Sequence, residues 1–124
     1  MYQNCQKHLS HPCVLILRDA NSRVYGAYLS EPPSPTAHYY GNGSCFVYER
    51  ADNGLRVFLA TGKNEYYMYS KQNMVCVGGG KGAFALCIDD EWAVSSQVTD
   101  TFDNEAFCLE KVEIVALEVW ALYV

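Results

Sequence analysis

Short runs of hydrophobic residues alternate with clusters of turn-forming residues along almost the whole chain. Runs rich in β-branched and aromatic residues, bounded by Gly, Pro, Asn or Asp, are typical of β-strands. The pattern predicts strands at the following positions: residues 13–17, 23–29, 44–49, 55–60, 65–69, 74–77, 83–88 and about 112–122. The last of these strands is expected to be buried on both faces, and a helix is the alternative.

The close spacing of the strands indicates the fold class. Residues 19–22 and 51–54 are short turns that favour hairpins between neighbouring strands. Strands joined in this way, with few helical periods, predict a mainly β (α+β) fold: a two-sheet antiparallel β-sandwich with short peripheral helices. We expect residues 1–124 to form a single domain, and residues 2–9 have the spacing of a helix that ends before Pro12.

A glycine cluster at residues 78–82 joins two of the strands, and we predict that those strands form the central hairpin. Glycines there permit positive φ angles and a close approach of other groups to the backbone, and Gly26 within an earlier strand indicates a bulge or a closely packed neighbour. The cluster contains Lys81, but a phosphate-binding loop needs Ser or Thr after the lysine and then a helix. Gly82 and a strand follow instead, so nucleotide binding is not predicted.

Charge and hydropathy argue against two kinds of partner. The formal net charge is −5 and the nine basic residues are scattered, so a nucleic-acid partner is not expected. No apolar run approaches the roughly 18 residues of a membrane span, so membrane insertion is not expected. The first residues carry no recognisable targeting pattern, which favours a cytoplasmic location, with any association with endomembranes made through a partner.

The chain contains six cysteines and no CxxC motif. Cys45, Cys76 and Cys87 lie in apolar runs, where a free thiol behaves as a small hydrophobe. We therefore predict reduced, buried thiols and no disulfide framework. Three cysteines lie outside the central strands and are the candidates for an exposed, reactive thiol: Cys5, Cys13 and Cys108.

Acidic residues in the second half of the chain could offer oxygen ligands to a metal ion. They are Asp89, Asp90, Glu91, Asp100, Asp103 and Glu105. Their spacing is not that of an EF-hand loop, and neighbouring strand residues point to opposite faces. No metal site and no cofactor are therefore predicted, and an acidic rim that orients a basic partner is favoured.

No catalytic residue is predicted. A Cys or Ser nucleophile needs a nearby base, but all three histidines lie within the first 38 residues. The hydroxyls expected to be exposed come much later in the chain: Ser95, Ser96, Thr99 and Thr101. Phe102 is expected to fill the core while Asp103 and Asn104 bond to local backbone. Trp120 is predicted to anchor the core, and Trp92 to be an exposed contact.

A series of short motifs follows a characteristic order from Leu17 onward. The motifs are residues 17–19 (LRD), 24–28 (VYGAY), 38–46 (HYYGNGSCF), 62–64 (GKN), 77–80 (VGGG), 85–89 (ALCID), 101–105 (TFDNE) and 117–120 (LEVW). Together they resemble the TLDc domain, the C-terminal module of oxidation-resistance proteins and several vesicle-trafficking regulators. Only the tail of the family's usual opening strand and helix precedes Pro12, so we expect a short or N-terminally truncated member. Thr99 stands where relatives often have a cysteine.

The resemblance implies a non-enzymatic binding module that binds and regulates the vacuolar-type proton ATPase and contributes to oxidative-stress resistance. A monomer is expected. The predicted partner-binding residues are Gly78, Gly79, Gly80, Lys81, Trp92, Ser95, Ser96, Asp103, Asn104 and Glu105. The alternatives are a thiol-dependent peroxide scavenger or hydrolase-like enzyme, and a structural fragment completed by a partner's strand.

Overall fold

Nine antiparallel strands make up the regular structure of the computed structural model, which describes residues 11–80 and 82–122. They are β1 (Cys13–Asp19), β2 (Val24–Leu29), β3 (Phe46–Ala51), β4 (Gly54–Leu59), β5 (Met68–Lys71), β6 (Met74–Val77), β7 (Leu86–Ile88), β8 (Ala93–Ser95) and β9 (Val112–Ala121). Eight of them coincide with or overlap a predicted strand. The exception is β8, a three-residue strand between acidic and polar residues that gave no apolar run. The mainly β class is confirmed.

The strands are joined in one order, β4-β3-β2-β1-β9-β8-β7-β6-β5. The prediction of two separate sheets is not supported, because β9 pairs with both halves. Its first residues, Val112 and Glu113, pair with β8, and the stretch from Ile114 to Ala121 pairs with β1. With ten residues, β9 is about 33 Å long, which gives room for both partners.

Helices are not found in the described residues, so the predicted peripheral helices are not supported there. The helix predicted before Pro12 lies outside the described residues. Across residues 11–80 and 82–122 there is likewise no helix with the length and apolar character needed to cross a membrane.

One hydrophobic core receives side chains from both halves of the sheet. Leu15 and Val47 come from the first half, and Val77 and Leu86 come from the second. Phe102, in the loop between β8 and β9, is 2% exposed and belongs to the same cluster, as its sequence context predicted. The two halves are therefore held together by shared packing as well as by β9.

β9 is a strand, as predicted, but the prediction that both of its faces are buried is wrong. Ile114 faces the core, whereas Val115 and Trp120 are 59% and 57% exposed. Trp120 is therefore not a core anchor. Apolar residues on both faces of a strand led to the prediction, but the core covers one face only.

The first half of the sheet is packed closely around Gly26. The Tyr48 hydroxyl on β3 reaches across β2 and donates a hydrogen bond to the Leu15 carbonyl on β1 at 2.9 Å. A Cβ atom at Gly26 would lie 1.9 Å from that carbonyl oxygen and 2.8 Å from the Tyr48 hydroxyl. The predicted close neighbour at Gly26 is confirmed.

Candidate functional site

Thr101 joins three loops at one end of the second half of the sheet. Its hydroxyl accepts a hydrogen bond from the Gly79 N–H at 2.9 Å and lies 2.7 Å from Asn64 Oδ1, the nearest acceptor for its proton. The Thr101 carbonyl accepts a hydrogen bond from the Thr61 N–H at 2.9 Å. Residues 61–66, 78–80 and 100–105 thereby form one unit, the Thr101 loop cluster.

The glycines of this cluster are required by close packing. At Gly78, with φ of +79°, an added Cβ would lie 2.9 Å from the Phe102 ring. At Gly79 it would lie 2.7 Å from the Tyr39 hydroxyl and 2.8 Å from Tyr66 Cβ. Both glycines are buried, and Gly80 is half-buried. The turn with close backbone approach is thus present, and its neighbours are side chains of the same chain.

Asn104 and Ser96 bind the polypeptide backbone from inside the protein. Asn104 is 2% exposed. Its Oδ1 accepts hydrogen bonds from the Thr99 N–H and hydroxyl, and its Nδ2 donates to the carbonyls of Gln97 and Glu105. The Ser96 hydroxyl donates to the Ala85 carbonyl at 2.6 Å and accepts from the Phe107 N–H. The predicted backbone bonding of Asn104 is confirmed, and both side chains shape the loops from within.

Three of the hydroxyls that were expected to be exposed are buried. Ser96, Thr99 and Thr101 are 8%, 2% and 0% exposed, so the sequence prediction is wrong for them. Each is engaged by partners within the chain. Ser95 is half-buried on β8.

The exposed part of the Thr101 loop cluster is charged. Asp103 lies at its surface with a φ of +50°. Glu105 accepts a hydrogen bond from Arg56 at 3.0 Å, and Arg56 also bonds Glu49 at 2.8 Å. The Arg56 hydrogen bond lowers the pKa of Glu105. These exposed pairs contribute little to stability, so contacts with a partner can replace them at small cost.

Trp92 lies at the opposite end of β6 and β7. Its side chain is 57% exposed, as predicted, and lines a cleft with Met74 and Ile88, whereas Gly78 follows β6 at the other end. The Trp92 backbone has a φ of +57°, which is unusual for a bulky residue. The Ile114 N–H donates to its carbonyl at 2.8 Å. The predicted partner-binding surface is therefore divided between two ends of the sheet.

An acidic turn lies beside Trp92. Carboxylate oxygens of Asp89, Asp90 and Glu91 lie within 4.8 Å of one another, so the expectation that these neighbours diverge is wrong, because they lie in a turn beyond β7. Lys111 forms ion pairs with Asp89 at 2.6 Å and Glu91 at 3.2 Å. Burial by itself raises the pKa of Asp89, but hydrogen bonds from Lys111 and from the Glu91 and Ala93 N–H groups outweigh it and lower that pKa.

Comparison with known proteins identifies the family of this chain. The TLDc domain profile matches residues 1–123 of this chain. The chain belongs to the TLDc domain family. It is 34% identical over 114 residues to nuclear receptor coactivator 7 of Mus musculus, covering 90% of this chain and 12% of that protein. It is 36% identical over 115 residues to oxidation resistance protein 1 of Eremothecium gossypii, covering 86% of this chain and 48% of the relative.

The chain therefore spans only part of these relatives. Oxidation resistance protein 1 of Yarrowia lipolytica is 34% identical to this chain over 118 residues. The match covers 86% of this chain and 48% of that relative. The likeness to these relatives covers 86–90% of this chain. What the longer relatives do as whole proteins is not transferred by it.

Two residues of this TLDc domain's cluster were missed as site residues. Arg56 lies opposite Glu49 in the β3–β4 hairpin, which counting outward from the turn at residues 51–54 could have shown. Asn64 lay within a recognised motif, but its partner Thr101 is 37 positions away in the chain, and no local signal reveals that contact. Two predicted residues, Lys81 and Cys5, lie outside the described residues.

Cys13 and Cys108 were candidates for a reactive thiol under the alternative of a peroxide scavenger. They are 0% and 5% exposed, so neither is the exposed thiol that this alternative needs. Burial raises the pKa of the Cys108 thiol, which further disfavours the reactive thiolate.

Proposed function

We propose that this TLDc domain is a non-enzymatic protein-binding module that contributes to oxidative-stress resistance by binding and regulating the vacuolar-type proton ATPase. Family membership carries the proposal, together with the relatives named oxidation resistance protein 1. The link to the ATPase comes from the family resemblance. A cytoplasmic location, with endomembranes reached through the ATPase, is part of the same proposal.

The arrangement of hydroxyl groups supports binding over hydrolysis. Ser96, Thr99 and Thr101 have their hydroxyls committed to internal hydrogen bonds. A nucleophile needs a base within hydrogen-bond reach and access for the substrate. Buried hydroxyls that hold loops together do not meet these conditions.

The Thr101 loop cluster is the surface that we propose for the partner. Thr101, Asn104 and Phe102 fix its loops from within, which presents Asp103 and Glu105 on a rigid support. Preorganised loops lose little conformational entropy on binding. The exposed carboxylates suit a basic patch on the ATPase, since complementary charge guides encounter and orientation.

The proposal is tested by titrating the purified domain into vacuolar-type ATPase and measuring ATP hydrolysis, with binding followed by co-sedimentation. Saturable binding that changes hydrolysis or releases the soluble sector is the expected result. A folded domain that neither sediments with the ATPase nor changes its activity would contradict the proposed partner.

Charge reversal tests the surface. We expect the double variant Asp103→Lys/Glu105→Lys to weaken binding by about tenfold or more, because two reversed contacts together cost about 1.4 kcal/mol or more. The matched control is Asp90→Lys/Glu110→Lys, which makes the same change in net charge at exposed positions outside the cluster. If the control weakens binding and the first variant does not, the surface lies at the Trp92 end instead.

A further inference from the structure

Two thiols face each other across the central hairpin. Cys76 on β6 and Cys87 on β7 are directly opposite partners in an antiparallel pair, and their sulfur atoms are 3.2 Å apart. Opposite residues in such a pair have Cα atoms about 4.5 or 5.5 Å apart, and both distances lie within the range that a disulfide spans. Closing the bond needs a sulfur movement of roughly 1 Å.

We propose that Cys76 and Cys87 form a redox-active pair that hydroperoxides oxidise to a cross-strand disulfide. The pair differs from Cys5, Cys13 and Cys108, the thiols that the sequence pointed to. It is also independent of the ATPase partner, so the two proposals stand or fall separately.

The environment distinguishes the two sulfurs. Cys76 is 0% exposed, whereas Cys87 is half-buried. Cys76 donates its S–H to Cys87 Sγ, and this hydrogen bond lowers the pKa of Cys87; burial and Asp89 oppose the shift, while Ser95 and Lys111 favour it. The same bond, followed by burial, raises the pKa of Cys76. Cys87 is therefore the more accessible of the two sulfurs and the more easily deprotonated one, and we assign it as the sulfur that attacks peroxide.

The chemistry follows from this assignment. The Cys87 thiolate attacks one oxygen of hydrogen peroxide, the O–O bond breaks, and Cys87 becomes a sulfenic acid while the departing hydroxide takes a proton and leaves as water. Cys76 sulfur then attacks the sulfenic sulfur, the S–S bond forms, the S–O bond breaks, and a second water leaves with the Cys76 proton. Two thiols lose two electrons, and one peroxide is reduced to two waters.

The position of Cys76 makes the second step fast relative to further oxidation. Its sulfur is already in contact with Cys87, so a sulfenic acid on Cys87 meets a thiol before it meets a second peroxide molecule. A low-pKa, accessible thiol beside a resolving thiol is the arrangement found in redox-sensing cysteine pairs. A dithiol reductant restores both thiols by thiol–disulfide exchange.

The test treats the whole purified chain with a small molar excess of hydrogen peroxide, blocks remaining thiols under denaturing conditions, and maps peptides by mass spectrometry. A Cys76–Cys87 crosslink that disappears with dithiothreitol is expected. Recovery of both cysteines as alkylated thiols, or crosslinks that join other cysteines instead, would overturn the proposal. This readout needs no variant, so it does not depend on whether a substitution folds.

Variants test the order of the steps. Cys76→Ser should leave a sulfenic acid on Cys87 that dimedone traps, whereas Cys87→Ser should lose both the crosslink and the dimedone adduct. Cys45→Ser, which changes a buried thiol outside the pair, should retain the crosslink. Circular dichroism establishes that each variant is folded. If folded Cys76→Ser gives no dimedone adduct on Cys87, the assignment of Cys87 as the reacting thiolate is wrong.

Discussion

Thr101 shows how one side chain can determine the form of a surface. Its hydroxyl accepts a hydrogen bond from the Gly79 N–H and donates one to Asn64 Oδ1. Its carbonyl accepts a hydrogen bond from the Thr61 N–H. These partners belong to two other loops. An unsatisfied buried N–H costs more than the net gain of a typical hydrogen bond, so loss of the Thr101 acceptor should leave the Gly79 N–H unsatisfied at a considerable cost.

The substitution Thr101→Val should lower the free energy of unfolding by about 1–3 kcal/mol, because it leaves the buried Gly79 N–H without its acceptor. The control is Thr36→Val, which removes an exposed hydroxyl bond to the His38 carbonyl and should cost less than about 1 kcal/mol. Urea denaturation followed by circular dichroism measures both. Equal losses would show that the buried acceptor has no special role.

The sequence predicted the exposure of a side chain correctly where residues adjacent in the chain determine its burial. Trp92 among acidic residues is exposed, and Phe102 fills the core. The prediction of exposure was wrong where segments distant in the chain determine the burial. Ser96, Thr99 and Thr101 look like surface residues, but loops folded over them supply hydrogen-bond partners and exclude water. Trp120 lies in an apolar run, yet nothing among the described residues buries its side chain to the extent that the run suggested.

At the scale of elements, apolar runs located the strands because each run must bury at least one face. The pattern failed for β8, whose three residues are too few for a period-two signal. The candidate surface was predicted only in part, because closeness in sequence was taken as closeness in space. Residues close in sequence, such as Trp92 and Ser96, were placed together, although the strand between Trp92 and the later loop carries the chain away from that end.

β4 is an edge strand with three exposed apolar residues, Leu55, Val57 and Leu59. Exposed edges of this kind can pair with another chain. We expect self-association at high protein concentration, and we expect Leu59→Lys to reduce it while changing the free energy of unfolding by less than about 0.5 kcal/mol. Sedimentation velocity over a concentration series measures the association. A wild-type chain that stays monomeric at every concentration would refute the role of this edge and support the monomer predicted from sequence.

For the whole molecule, the buried tyrosines are expected to lower the free energy of unfolding as the pH becomes alkaline. Burial raises the pKa of Tyr48 from 10.0 to about 12, and burial followed by the Asp19 hydrogen bond raises that of Tyr25. The folded state therefore favours the protonated phenols. The contribution of Tyr48 is complete below about pH 10, where the unfolded chain is also protonated, and is lost as the pH rises towards 12.

The expected result for Tyr48 alone is a loss of roughly 2–3 kcal/mol of unfolding free energy across that interval. Denaturant unfolding at a series of pH values measures it. Tyr48→Phe should be less stable than the wild type at pH 7, because the Leu15 carbonyl loses its donor, but should show a shallower decline above pH 10. Identical slopes for the two proteins would contradict the assignment.

The hairpins of the fold were predictable, and so was β9 as a strand, but the pairing of β9 with β1 and β8 was not. Each hairpin pairs residues close in sequence, as in the pairing of β3 with β4 across residues 51–54. The pairing of Cys13 with Ala121 spans almost the entire described chain, and no local pattern specifies such a partner. A single sheet order in place of two sheets follows from that long-range pairing.

The central place of β9 also governs when the domain can form. Synthesis proceeds from the N-terminus, so β1 to β8, the other strands of the described residues, leave the ribosome before β9, which separates β1 from β8. Until then, both of those strands present unpaired edges, which are open to mispairing. The nascent domain can collapse into two hairpin arrays, but we expect it to become a cooperative unit only when β9 is released. Chaperone dependence during translation should therefore be concentrated in the interval before residues 112–121 emerge.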